Sequence, residues 1–332
     1  MKYFSMFSGV GGFELGIADK GECIGYSEID KYAIQIYKKH FKGVKNYGNA
    51  TKIRPEELPD FDLLVGGFPC QAFSISGRKC GFDDTRGTLF FEIARILTEK
   101  KPKYILLENV KGLLSHDGGK SFQTIIRVLT DIGYRIQWQV LNSKNFGVPQ
   151  NRERVYIVGH LRGTSRRQIF PIGRSSSQNI RKIVETGHEA TRIHSTDGLA
   201  ISQKALGGGQ GAKTGLYAVA LTERRTKEAR EIRKRVMKES GKDWCPRRGK
   251  ELVPRNDEMS NCLTTGQTKE HLLVVDGMVR RLTPTEGERL QGFPDGWTKG
   301  LSDAQRHKCI GNAVTTNVVK AIIEVMFDEN TV

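Results

Sequence analysis

Between Lys2 and Leu161 short apolar runs alternate with stretches of helical periodicity, and few architectures accept that alternation. "KYFSMFS", "CIGYSEI", "DLLVGGF", "YILLENV" and "RVYIVGHL" read as strands. "GFELGIADKG", "KYAIQIYKKHF", "LFFEIARILTEKK" and "SFQTIIRVLTDIG" read as the helices between them. Strands linked through helices predict an α/β fold with a parallel, doubly wound sheet.

The pattern breaks after Leu161. "RGTSRRQIFPIGRSSSQN" and "KALGGGQGAKTG" have the composition of loops and short strands, and the chain's excess of positive charge collects here. Residues 160 to 255 carry 22 basic and 9 acidic side chains, most of the net +16 of the whole chain. A basic middle between two nearly neutral flanks suggests a module that binds a polyanion, set into an ordinary enzyme core. The cluster "RRTKEAREIRKRVMK" is equally well a charged, solvated helix face. Order returns at "RRLTPTEGERLQGF", where Thr283, Pro284 and Glu286 form a capping box with proline at the first helical position. "GNAVTTNVVKAIIEVMF" is a periodic helix with Gly and Asn at its start.

At 332 residues the chain suggests two domains. It opens without the charged and apolar regions of a secretory leader, and no apolar run of membrane-spanning length is read from it. The six cysteines show no C-x-x-C pair, which speaks against a zinc site and a disulfide framework. A cytoplasmic protein with free thiols, no metal and no membrane partner is expected.

The chemistry gathers at strand ends. In "GGFPCQAFS" Pro69 stops a buried strand and leaves Cys70 at its carboxyl end, the edge where open α/β sheets bind ligands. An inert buried thiol is the ordinary fate of a lone cysteine. Glu108 ends another strand in "YILLENV", and Arg152 and Arg154 in "QNRER" lead into the next, where alternation puts both on one face. "FSGVGG" lies between the first strand and the first helix, with Glu28 closing the second strand. Glycines that let backbone approach a ligand, with an acidic residue for ribose hydroxyls, fit a nucleoside cofactor, and leave NAD and S-adenosylmethionine both open.

In their order, "FSGVGG", "GGFPCQAFS", "ENV", "QNRER", "RLTPTEGERLQGFP" and "GNAVTTNVV" resemble the motifs of DNA cytosine-5 methyltransferases of the bacterial HhaI type, over nearly the whole chain outside residues 165 to 275. The resemblance implies a Rossmann-like, S-adenosylmethionine-dependent sheet in residues 1–164, a smaller target-recognition domain in 165–275, and a segment 276–332 that completes the catalytic domain. It implies a nucleophilic Cys70, Glu108 on the ring of the cytosine, Arg154 on its O2 and Arg152 in support. For the cofactor it implies Phe7, Ser8, Gly9, Gly11, Gly12, Glu28, Ile29, Asn49, Pro69, Leu89, Asn312 and Val314. Asn49 replaces a common aspartate and Ile29 a common aromatic; the Asn49 carbonyl can accept the same hydrogen bond from the adenine amino group and isoleucine can still cover one adenine face, so cofactor binding is expected to persist, at most weakened. Ser76 and Arg86 in a Gly- and Ser-containing loop, and Thr264, Thr265 and Gln267 in the recognition stretch, are the expected contacts to double-stranded DNA. The target base must leave the duplex to react, because its ring atoms cannot be reached inside the stack; base-modifying methyltransferases in general share this requirement. A monomer is expected. An RNA cytosine methyltransferase and a catalytically idle DNA-binding protein are the other readings. The large basic segment favours duplex DNA over RNA, and the intact Cys70, Glu108 and Arg154 speak against an idle protein. The recognised sequence is not legible.

Overall fold

The computed structural model describes residues 1–68, 89–164, 167–172, 219–240, 250–254, 263, 272–275 and 278–327. Its larger sheet has the order β2-β1-β3-β4-β6-β5, from β1 (Lys2–Met6), β2 (Glu22–Ser27), β3 (Leu63–Gly67), β4 (Tyr104–Val110), β5 (Tyr134–Asn142) and β6 (Glu153–Leu161). Strands β2, β1, β3 and β4 pair in parallel. Helices α1 (Gly12–Ile17), α2 (Lys31–His40), α3 (Leu89–Lys100) and α4 (Lys120–Ile132) make the crossovers, as the alternation predicts.

Two features depart from a purely parallel sheet. β5 is not among the strands expected from the sequence, although Tyr134, Ile136, Trp138 and Val140 alternate with Arg135, Gln137 and Gln139. β6 then returns antiparallel to both β4 and β5. The link from Asn142 to Glu153 is too short for a helical crossover, so the chain can only double back.

Alternation along the strands divides the core. Phe4, Met6, Leu64, Ile105 and Leu107 face α3 and α4, packing on Phe90, Ile93, Leu97, Ile125 and Leu129. Tyr3, Leu63, Val65 and Leu106 face the other way, onto Phe13 and Ile17 of α1 and onto Val318, Val319, Ile322 and Ile323 of α8 (Thr316–Phe327). The last helix thus covers a face that the first helix alone would leave half open.

A smaller sheet, order β10-β9-β7-β8, comes from β7 (Val219–Arg225), β8 (Lys250–Pro254), β9 (Leu272–Val275) and β10 (Met278–Arg281), with α5 (Lys227–Ser240) after β7. It runs past the boundary expected at residue 275. At its other end, Gln137 and Gln139 of β5 bond the backbone of Arg167, Ile169, Phe170 and Ile172, so that stretch adheres to the larger sheet. Apart from Ala229, α5 presents a largely exposed, mostly basic surface.

In the returning segment, α6 (Pro284–Leu290) begins with the predicted capping box: Thr283 Oγ1 accepts from Glu286 N, and the Glu286 carboxylate accepts from Thr283 N. Gly311 and Asn312 do not start the last helix, as their sequence suggests. They end α7 (Asp303–Asn312), and the chain extends through Ala313 before α8. Asp303–Phe327 has the length and apolarity to cross a membrane, against the expectation from sequence, yet it is two helices whose apolar side chains line the core.

Glu288 is fully buried in this segment and accepts from Gly296 N (2.7 Å), Thr298 N (2.8 Å), Thr298 Oγ1 and Arg306 Nη2 (3.0 Å). The turn it organises presents Trp297, whose indole N–H donates to the Val10 carbonyl at 2.9 Å and whose ring stacks on His40. The C-terminal segment thereby grips the glycine loop after β1.

Candidate active site

Three strands bring chemistry to one edge of the larger sheet. The register sets Gly67 of β3 beside Glu108 of β4, and a Cβ on Gly67 would stand 3.2 Å from Glu108 Oε2. Glycine leaves the space that the carboxylate occupies. Val110 lies opposite Arg154 across β4 and β6, so Arg154 shares a face with Val110 and therefore with Glu108, two residues back. Arg154 Nε meets Glu108 Oε1 at 3.0 Å, with the side chains 15% and 13% exposed. Burial pushes the Glu108 carboxyl above the usual range; the charges of Arg154 and Arg152 oppose that shift without cancelling it.

Asn109 carries a role that sequence reasoning missed. Buried, it donates from Nδ2 to the Phe68 carbonyl (2.8 Å) and accepts at Oδ1 from Val110 N (2.8 Å). It fixes the backbone that leads into Pro69 and Cys70. A polar residue inside an apolar strand run, next to Glu108, is the signal that could have found it. Pro69, Cys70, Ser76 and Arg86, and likewise Thr264, Thr265 and Gln267, lie outside the described residues.

Arg152 serves the site from behind. Its buried guanidinium donates to the carbonyls of Leu263 (2.8 Å), Gly311 (3.3 Å) and Ala313 (2.9 Å), and it acts on Glu108 through its charge. Expected beside Arg154 on one strand face, it stands just before β6 begins.

A second cluster surrounds the ends of β1 and β2. Phe7, Gly9 and Gly11 have φ of 55°, 57° and 89°, so the loop turns through left-handed conformations that glycine accepts readily and Phe7 adopts under constraint. Glu28 Oε2 accepts from Gly9 N (2.9 Å), while Oε1 accepts from Ile29 N (2.7 Å) and Asp30 N (2.8 Å). The carboxylate is held in place with lone pairs to spare. Ile29 beside it is 71% exposed, and a Cβ on Gly9 would meet nothing within 4 Å. The Ser8 hydroxyl is buried without a partner among the described residues. An oriented carboxylate, an outward apolar side chain, open backbone and an unsatisfied hydroxyl suit an adenosyl ligand.

The other expected cofactor residues divide. Val314 packs on the loop, with Cγ1 2.8 Å from where a Gly12 Cβ would stand; Asn312 is exposed at the end of α7, Leu89 half-buried at the start of α3. Asn49 is exposed in its turn, but its carbonyl already accepts from the N–H and hydroxyl of Thr51, each at 3.0 Å. The acceptor assigned to the adenine amino group is thus used by a local turn.

Below the loop, Glu14 is buried on α1. Oε1 accepts from the Tyr37 hydroxyl (3.0 Å), which lies 3.4 Å from Cys23 Sγ. Burial, the largest influence, pushes the Glu14 carboxyl up to about 7.

Comparison with known proteins agrees with this geometry. Residues 1–328 match the family profile described as C-5 cytosine-specific DNA methylase. Type II methyltransferase M1.ScrFI of Lactococcus lactis subsp. cremoris is 39% identical over 98% of this chain and 78% of its own length. Type II methyltransferase M.HhaI of Haemophilus parahaemolyticus is 32% identical over 97% of this chain and 93% of its own. Among solved structures, a DNMT2 variant of Spodoptera frugiperda superposes with a TM-score of 0.60 at 18% identity, covering 98% of this chain and 99% of that one, which is a likeness of fold. The chain belongs to the C-5 cytosine-specific DNA methylase family and is an S-adenosylmethionine-dependent enzyme that methylates cytosine in DNA.

Proposed function

We propose that this enzyme modifies one cytosine within a short sequence of duplex DNA, through a covalent bond between Cys70 and C6 of a base turned out of the helix. The buried Glu108 beside Arg154 carries the reading, because a carboxyl held above its usual range keeps a proton to higher pH than a free carboxyl does and can donate it. C5 of cytosine is a weak nucleophile. Addition of the Cys70 thiolate to C6 forms the C–S bond and moves the ring's electrons toward C5 as N3 takes the proton from Glu108. Arg154 balances charge on the ring and then on the carboxylate left behind. S-adenosylmethionine supplies the methyl group that C5 takes up. A base removes the C5 proton, the C–S electrons return to sulfur as Cys70 leaves, and N3 returns its proton to the Glu108 carboxylate.

Glu28, Ile29, the glycine loop, Ser8 and Asn312 are the residues we assign to the cofactor. The segment 165–275 is assigned to target recognition, with its exposed basic helix α5 on phosphates and Thr264, Thr265 and Gln267 on base edges. Ser76 and Arg86 are assigned to DNA beside the flipped base. The relatives named type II methyltransferases motivate a place for this enzyme in a restriction-modification pair, working as a monomer in the cytoplasm.

The test is Cys70→Ala with a duplex carrying 5-fluorocytosine. The variant is expected to lose methyl transfer yet bind DNA nearly as before, since phosphate contacts dominate affinity. The unaltered enzyme is expected to remain attached to the fluorinated duplex under denaturing conditions, because fluorine cannot leave C5 as a proton. Full activity in the variant, or free DNA alone from an active enzyme, would overturn the mechanism.

A further inference from the structure

Leu263 immediately precedes the stretch assigned to base reading, and the catalytic domain holds it by both backbone groups. Its N–H donates to Gln150 Oε1 (3.2 Å), and its carbonyl accepts from Arg152 Nη1 (2.8 Å). Two side chains two residues apart thus serve it as a neighbouring strand would. Its own side chain is buried with Val10, Leu282, Leu290 and Ile310.

The gripping residues are themselves fixed. Gln150 is fully buried, and its amide nitrogen donates to the Leu290 carbonyl at 2.7 Å. Arg152 N donates to Asn142 Oδ1 at 3.1 Å, while the guanidinium reaches Gly311 and Ala313. Two residues farther on stands Arg154, on Glu108. A short, hydrogen-bonded path therefore joins the cytosine pocket to the point where the chain enters residues 264–267.

We propose that Gln150 is a specificity-positioning residue: by accepting from Leu263 N, it fixes the entry of the recognition stretch relative to the Glu108 and Arg154 pocket. The proposal rests on the reading that residues 264–267 contact base edges. Such a contact discriminates by about fivefold or more, and misplacement by an ångström forfeits much of it. Gln150 bonds the backbone of Leu263 and Leu290 rather than the side chains of Glu108 or Arg154, so its loss should loosen site choice before it slows chemistry.

The test compares Gln150→Met, which keeps the length and removes both hydrogen bonds, with Gln150→Glu, which keeps an acceptor for Leu263 N. Each is given a pool of random-sequence duplexes with S-adenosylmethionine, and methylated cytosines are mapped by bisulfite sequencing. kcat and KM are then measured on the preferred duplex and on its single-base variants. For Gln150→Met we expect preference over single-base variants to fall about fivefold or more, the lower end of one base contact, with kcat on the preferred duplex changed by less than the preference. Gln150→Glu should keep the unaltered preference. If Gln150→Met does not accumulate as folded protein, Gln150→Asn, which draws both groups back by one methylene, replaces it under the same criterion. Retained preference in the first variant, or its loss in both, would overturn the proposal while leaving a sequence-specific enzyme intact. An unaltered enzyme that methylates cytosines regardless of sequence would overturn the recognition reading as well.

Discussion

Two glutamate–arginine pairs in this molecule share a distance of 3.0 Å and little else: Glu108 with Arg154 at the sheet edge, and Glu288 with Arg306 in the returning segment. The arginines are almost equally exposed, at 15% and 14%. Yet the Glu108 carboxyl lies above the usual range and the Glu288 carboxyl below it. Burial raises both. At Glu288 the hydrogen bonds from Thr298, Gly296 and Arg306 outweigh it, whereas the charges facing Glu108 do not. An arginine neighbour alone does not draw a buried carboxyl below its usual range; several N–H and O–H donors do. One glutamate is therefore fastened as an ion for structure, and the other is free to carry a proton.

Glu108→Gln is the strongest way to break this contrast. It keeps the shape and removes the proton donor, so kcat should fall by about 100- to 10,000-fold with the melting temperature held or slightly raised. In the unaltered enzyme, the step that needs protonated Glu108 should slow as pH rises through its elevated pKa. Single-turnover rates against pH check both, and a Glu108→Gln variant with near-normal kcat would remove the proton-donor role.

Glu288→Gln should do the reverse. It leaves Arg306 without its buried counter-charge and weakens the bonds that hold the Trp297 turn, costing about 3 kcal/mol. A melting temperature lower by roughly 5–10 °C is expected, with kcat per folded molecule little changed. Calorimetry alongside active-site titration separates the two effects.

Glu14 sharpens the comparison from a third position, because its hydroxyl partner is neutral. Its native carboxyl titrates at about 7, against 4.5 in the unfolded chain. Between those values the native state holds a proton that the unfolded state has lost. Stability is therefore greatest below about 4.5 from this group and falls as pH rises toward 7, by at most about 3 kcal/mol. Glu14→Gln can still accept from Tyr37 and should flatten that slope in thermal melts between pH 5 and 8. An unchanged slope would show that Glu14 does not titrate there.

Much of this is legible in the sequence because period and punctuation act locally. The strands through Val110, the capping box at Thr283 and the convergence of Glu108 with Arg154 follow from alternation and turn residues. What escapes depends on partners that only the folded chain supplies. Arg152 is expected in support of Arg154, but strand alternation says nothing about the carbonyls at Leu263 and Ala313 that it bonds. The turn in which Asn49 accepts from Thr51 is likewise not read from residue types alone. Gln150 and Asn109 bond backbone, which leaves no residue-type signature at the other end. β5 is visible as an alternating run, but the helix-strand rhythm around it leads the eye past it.

The packing of α8 on α1 has a consequence for how the chain is made. Gly16 approaches Val319 so closely that a Cβ there would stand 2.6 Å from the valine Cβ, and Phe13 and Ile17 share their cluster with Val318 and Ile322. These contacts close a loop that spans most of the chain, a costly closure that sets a slow step in folding. As the protein leaves the ribosome, the part of this apolar face that α1 leaves uncovered must wait until the intervening residues have been translated and the last helix emerges. During that interval exposed apolar surface favours aggregation, and a slower translation rate lengthens the exposure.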